Sequence, residues 1–153
     1  MGSNNTFNHL LSEADRNTCK FNLKNVPPAS GHLCLYLGLN QSSEALKLPK
    51  HNFWYFKHDN IDEIINEATL RSAPENFAYI SFPSAKDPEW ETKNPGTATI
   101  QAISVGKIDW FENYKNTSWM RRGEEYLSLK KNFETEMLKT LFKFYPQIEG
   151  TIV

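Results

Sequence analysis

Between Gly123 and Pro146, the side chains Tyr126, Leu129, Phe133, Met137, Leu141 and Phe144 recur three or four residues apart, the spacing that lines one face of an α-helix. At standard geometry the stretch predicts a helix of about five turns, opened by Gly123 and stopped by Pro146. An apolar stripe of that length must be covered, and the chain ahead of it supplies strands. His32 to Leu39 sets Leu33, Leu35, Leu37 and Leu39 against Cys34, Tyr36 and Gly38, and reads as a strand covered on both faces. Asn52 to Phe56 is almost wholly aromatic, Phe77 to Phe82 runs into a turn at Pro83, and Thr97 to Val105 alternates Ala98, Ile100, Ala102 and Ser104 with Thr99, Gln101, Ile103 and Val105. The first strands lie too close in sequence for the crossovers that a parallel sheet requires. The fold class expected is α+β: a mixed, largely antiparallel sheet of about four to six strands with two or three helices, the long C-terminal amphipathic one among them.

Smaller elements fill the gaps. Phe7, Leu10 and Leu11 share one side of a turn or two of helix, Val26-Pro27-Pro28-Ala29-Ser30-Gly31 reads as a turn, and Asp59 or Asn60 caps a helix with Ile61, Ile64, Ile65 and Ala68 on one face, finished before Pro74. Ile108 to Tyr114 reads as a short aromatic helix, and Ile148 to Val153 as the start of a last strand. Residues 1–6, opening Met-Gly-Ser, are read as an expression leader and boundary, and 7–153 as a single domain.

Several chemistries are excluded by residue type and spacing. The seven glycines never come closer than seven residues to one another, so neither a dinucleotide fingerprint nor a P-loop is present, and no cofactor is expected on this chain. Cys19 and Cys34 form no CxxC and predict free thiols; His51 and His58 stand at no metal-ligand spacing, so no metal is expected. Ser81 and Ser84 lack the flanking glycines of a nucleophile elbow. Seventeen basic against eighteen acidic side chains give a net charge of -1, which argues against a nucleic-acid partner. No apolar stretch approaches the roughly 18 residues of a membrane span, and the expectation is a soluble, cytoplasmic chain.

Two regions are candidates for binding. Lys86-Asp87-Pro88-Glu89-Trp90-Glu91 gathers a cation, three carboxylates and an indole, suited to acid/base work or to orienting a ligand head group, or equally to a solvated turn capped by Asp87. The run Phe53-Trp54-Tyr55-Phe56, with Trp110, Phe111, Tyr114 and Trp119, suits an apolar slot, a membrane surface beside Lys115, Arg121 and Arg122, or ordinary core. Strand alternation then assigns Trp54 and Phe56 to the core and leaves Phe53 and Tyr55 for a ligand.

His32-Leu33-Cys34-Leu35-Tyr36-Leu37-Gly38-Leu39, Asn52 to Phe56, Ile80-Ser81-Phe82-Pro83-Ser84-Ala85-Lys86-Asp87-Pro88, Trp90, Pro95-Gly96 and Arg122-Gly123 with Tyr126 and Leu129-Lys130 resemble the flavoprotein family of retinol saturase, carotenoid isomerase and phytoene desaturase. The likeness runs from about Asn5 to Val153. It implies an FAD-dependent oxidoreductase acting on a polyene, of which this chain is the inserted substrate domain alone and inactive by itself. FAD then belongs to the parent protein, in a Rossmann-type domain missing from this chain and its implied partner, and the cofactor carries the reaction. The substrate-binding residues implied are Phe53, Tyr55, Phe82, Ser84, Lys86, Asp87 and Trp90; no catalytic residue is transferred. Two other readings stay open: a free-standing lipid or polyene binding module, and peripheral membrane contact through Trp119, Arg121 and Arg122.

Overall fold

The computed structural model describes residues 2–19, 31–67 and 73–153. In chain order it places α1 (Ser3–Asn5), which runs into a π-helical turn at Thr6–Leu10, then α2 (Glu13–Thr18), β1 (Gly31–Leu39), β2 (Phe53–Phe56), α3 (Ile61–Glu67), α4 (Ala73–Asn76) and β3 (Phe77–Ser81). These are followed by α5 (Pro83–Lys86), α6 (Trp90–Lys93), β4 (Ala98–Gly106), a 3-10 helix at Ile108–Tyr114, α7 (Glu124–Phe144) and a 3-10 turn at Pro146–Ile148. The class is α+β, as expected, with four strands among the described residues.

The sheet order is β1-β4-β3-β2 and every neighbouring pair is antiparallel. Strand β4 is therefore interior, paired to β1 along Gly31↔Gly106 through Leu39↔Ala98 and to β3 at Tyr79↔Ile103 and Ser81↔Gln101. One face carries Leu37, Leu39, Ala78, Ile80, Ala98, Ile100 and Ala102, all buried, and packs against Met137 and Leu141 of α7 with Leu46, Leu48 and Ile148. Alanines at three of these positions let the helix approach the sheet closely, and each large apolar side chain fully buried there contributes about 1.5–3 kcal/mol. Ser104, on the same face, is satisfied by donating to the Phe77 carbonyl at 2.8 Å. A second cluster stacks Trp110 on Phe133 at 5.4 Å beside Leu33 and Leu129.

The expected helical stripe is realised: Phe133, Met137 and Leu141 are buried, and Phe144 is the exposed exception at the helix end. Asn60 caps α3, its Oδ1 accepting from the Glu63 amide at 3.2 Å while its amide donates to the Glu63 carboxylate. Ile64 is buried beneath that helix; the Ile65 side chain, Ala68 and the turn at Val26 to Ser30 lie outside the described residues.

Three expectations are corrected. Strand β1 is covered on one face only, with His32, Cys34 and Tyr36 exposed, because none of the described elements lies over its other side. Helix α3 ends at Glu67, before Pro74 as expected, and Pro74 itself sits in the first turn of α4, where its missing N–H costs nothing. Pro83 likewise starts the short helix α5 instead of a turn. The terminal segment makes no strand: after the 3-10 turn it forms a single bridge, Leu39↔Ile152, supported by Asn40 N–H to Thr151 O and Val153 N–H to Gly38 O.

Candidate functional site

The predicted binding residues fall into two groups. Ser84, Lys86, Asp87 and Trp90 come together beside a shallow groove of about 420 Å³ between α5, α6 and residues 43–50. Three of the four hold the loop in shape. Ser84 Oγ accepts from the Thr99 amide at 2.9 Å and is hydrogen-bonded to Ser43 Oγ at 2.8 Å, Asp87 Oδ1 accepts from the Glu89 amide at 2.9 Å, and Trp90 Nε1 donates to the Thr97 carbonyl at 3.0 Å. The fourth, Lys86, is exposed and turns its ammonium to Ser81 Oγ at 2.9 Å and to Asn52 Oδ1.

Phe53, Tyr55 and Phe82 lie elsewhere. Phe82 is fully buried, edge-on to Tyr145 at 4.9 Å. Phe53 and Tyr55 are half-buried and pack on Phe144 at 4.9 and 5.2 Å, so the alternation in β2 is the reverse of the one expected from the sequence. Phe53 pairs with Ile80 and Tyr55 with Ala78, both core positions, which fixes that pair on the helix side. Burial beside Phe53 and Phe82 also pushes the Tyr145 hydroxyl pKa up.

The reversal puts Trp54 and Phe56 on the opposite face, where no helix or loop among the described residues covers them. Trp54 is 56% exposed and meets Tyr79 edge-on at 4.7 Å, and Phe56 packs on Phe77 at 5.3 Å. Register extends the surface across the sheet: Tyr79 pairs with Ile103 and Ile103 with Cys34. The result is one open sheet face bearing four aromatic rings from β2 and β3, backed by a face that is fully packed. Sheets that leave one face to water normally line it with polar side chains. A contiguous apolar patch of this kind marks a surface that something else covers.

No family model matches the chain, and no solved structure matches it. Among curated proteins, the all-trans-retinol 13,14-reductase of Rattus norvegicus is 30% identical over 99% of the chain, and that of Homo sapiens 29% identical over 97%. The chain is homologous to one segment of the all-trans-retinol 13,14-reductases. It spans about a quarter of their length. A protein of Danio rerio named as an inactive all-trans-retinol 13,14-reductase is 31% identical over 96% of the chain, so likeness in this segment does not separate active from inactive reductase relatives.

The residues present do not fit a dinucleotide such as the flavin cofactor implied by the resemblance. The described glycines with positive φ are Gly96, Gly123 and Gly150, each in a separate turn. Gly123 leads into α7, whose first turn carries Glu124 and Glu125, like charges that repel a pyrophosphate at a helix N-terminus. Among the described residues no cluster of three or more His, Cys, Asp or Glu side chains is placed to hold a metal, and Cys19 and Cys34 are exposed free thiols. No helix there is long and apolar enough to cross a membrane.

The open face was missed because Phe53-Trp54-Tyr55-Phe56 has no polar member to set its phase. The signal lay on the neighbours. In Phe77 to Ser81 and Ala98 to Ser104, Ala78, Ile80, Ala98, Ile100 and Ala102 mark one side and Tyr79, Ser81 and Gln101 the other, and pairing transmits that choice to β2.

Proposed function

We propose that this chain is the substrate-covering domain of an FAD-dependent oxidoreductase that acts on a polyene, a retinoid or carotenoid, and that it is inactive alone. One observation carries the reading: the sheet has an aromatic face that none of the described elements covers, in a chain homologous to part of the retinol 13,14-reductases. Flat conjugated chains stack well on aromatic rings, and a dry wall of Trp54, Tyr79, Phe56 and Phe77 binds and orients such a chain while excluding water from one side of it. The flavin would be bound by other parts of the longer protein, and its electronics supply the redox chemistry. Titration of the chain with all-trans-retinol, followed by tryptophan fluorescence, tests the wall. Saturable quenching that is lost in Trp54→Ala is expected, and no response at micromolar ligand overturns it. Flavin retained stoichiometrically through gel filtration, or retinol reduction by the chain alone, overturns the assignment as an inactive part. Retinol binding by a natural protein confined to this segment favours instead a free-standing polyene carrier.

A second reading concerns membranes and rests on Trp119 and Met120, 80% and 78% exposed and consecutive, followed by Arg121 and Arg122. Arg122 is tied down, donating to the Tyr114 carbonyl at 3.1 Å and lying 5.2 Å over the Tyr126 ring. An aromatic tip with adjacent cations is the combination that seats in an anionic lipid interface. Co-sedimentation with phosphatidylserine vesicles is expected, and a Trp119→Ala chain that sediments as well as the parent sinks the idea.

A further inference from the structure

The open face is not uniform, and along β2 and β3 its polarity changes once. Tyr36 pairs with Gln101 and Gln101 with Ser81, so these three side chains form one row across β1, β4 and β3 on the face that bears Tyr79 and Ile103. Two residues along, about 7 Å away at the usual strand rise, comes the row Cys34, Ile103, Tyr79 and Trp54. Phe56 and Phe77 follow about another 7 Å on. Hydroxyls and a carboxamide thus border one end of a surface that over β2 and β3 is otherwise aromatic, with Cys34 and His32 on the β1 side.

A cation is fixed at that polar end. The Lys86 ammonium donates to Ser81 Oγ at 2.9 Å and to Asn52 Oδ1, which uses two of its three donors and holds it over the row from a separate helix. Tyr36, 70% exposed, stands at the other end of the same row with its hydroxyl in reach of solvent. We infer that the row Tyr36, Gln101, Ser81 and Lys86 is a head-group site, which takes the oxygen-bearing end of a long apolar ligand whose body lies along the strands over Tyr79, Trp54 and Phe77. This rests on the open face being the polyene wall. A hydrocarbon with no polar end gains nothing from the row, and a ligand polar at both ends would strand one of them on Phe56 and Phe77. Since the fixed group is a cation, a carboxylate end is held more tightly than an alcohol, through a charge-assisted hydrogen bond.

The test is a set of titrations on the 153-residue chain with all-trans-retinoic acid, all-trans-retinol and a hydrocarbon polyene of the same length lacking oxygen. Lys86→Met is expected to weaken the acid about tenfold, the scale of one charge-assisted bond, the alcohol less, and the hydrocarbon not at all; Lys86→Arg restores the acid. Gln101→Leu, which leaves the Lys86 anchors in place, is expected to weaken acid and alcohol together. If Trp54→Ala weakens all three ligands while Lys86→Met and Gln101→Leu weaken none, the wall stands and the head-group site is wrong. Equal losses for acid and hydrocarbon in Lys86→Met also overturn the site, because they assign Lys86 a structural role. If no ligand binds, or Trp54→Ala changes nothing, the wall itself falls and the head-group site with it.

Discussion

Replacing Phe53 and Trp54 separately by alanine sets the two faces of the sheet against each other with neighbouring residues. Phe53 is half-buried against the core, 4.9 Å from Phe144 and 6.1 Å from Tyr145 by ring centroids. A fully buried Phe→Ala costs about 3–5 kcal/mol, and partial exposure brings the expectation for Phe53→Ala to about 2 kcal/mol, of which the ring pair supplies about 0.5–1.5. Trp54 opens no core cavity when truncated. It loses its edge contact with Tyr79 at 4.7 Å and a longer one with Phe77 at 6.0 Å, worth about 0.5–1 kcal/mol together. With a urea m-value of about 2 kcal/mol/M for a chain of this size, Phe53→Ala should lower the unfolding midpoint by about 1 M and Trp54→Ala by half that or less. Far-UV circular dichroism is the right probe, because Trp54 itself contributes to fluorescence. If Trp54→Ala is the more destabilising of the two, the alternation described for β2 is wrong, and the open face with it.

Ser84→Ala removes the acceptor of the Thr99 amide at a buried site and should cost about 1–3 kcal/mol, read as a lower urea midpoint with unchanged slope. Gly123 holds φ 83° and ψ 172°, a conformation nearly closed to other residues, so Gly123→Ala should destabilise by about 1–3 kcal/mol even though its added methyl would meet nothing within 4 Å. Tyr145 is held neutral by burial, so its folded pKa lies above the unfolded one. The stability it contributes is whole below pH ~10 and lost as pH rises through the raised folded value. Urea midpoints measured across alkaline pH should therefore fall less steeply for Tyr145→Phe than for the parent; identical slopes would show that Tyr145 does not carry the effect.

Much of the fold was readable because its signals are periodic. The stripe from Tyr126 to Leu141 needed only the helical repeat, and Ala98 to Val105 declared its inward side by size. What failed were decisions that depend on a partner. Nothing in His32 to Leu39 says that only one of its faces will be covered, since Cys34 and Tyr36 are apolar enough for either. Pro83 reads as a turn in isolation, yet serves as a first-turn residue of the short helix α5. Of the predicted loop, Lys86 alone keeps a role in the inferred site; Ser84, Asp87 and Trp90 spend their polar atoms on the loop itself.

The position of β4 has a consequence for how the chain acquires its shape. As the strand between β1 and β3 it is also the last of the four in sequence. During synthesis β2 and β3 can pair early, but β1, the first of the described strands to emerge, has no partner among them until Ala98–Gly106 is available, after both other strands have formed. Pairing at such sequence separation is slow to nucleate. The aliphatic stretch from Leu33 to Leu39 is therefore the segment most in need of protection from other chains in the interval.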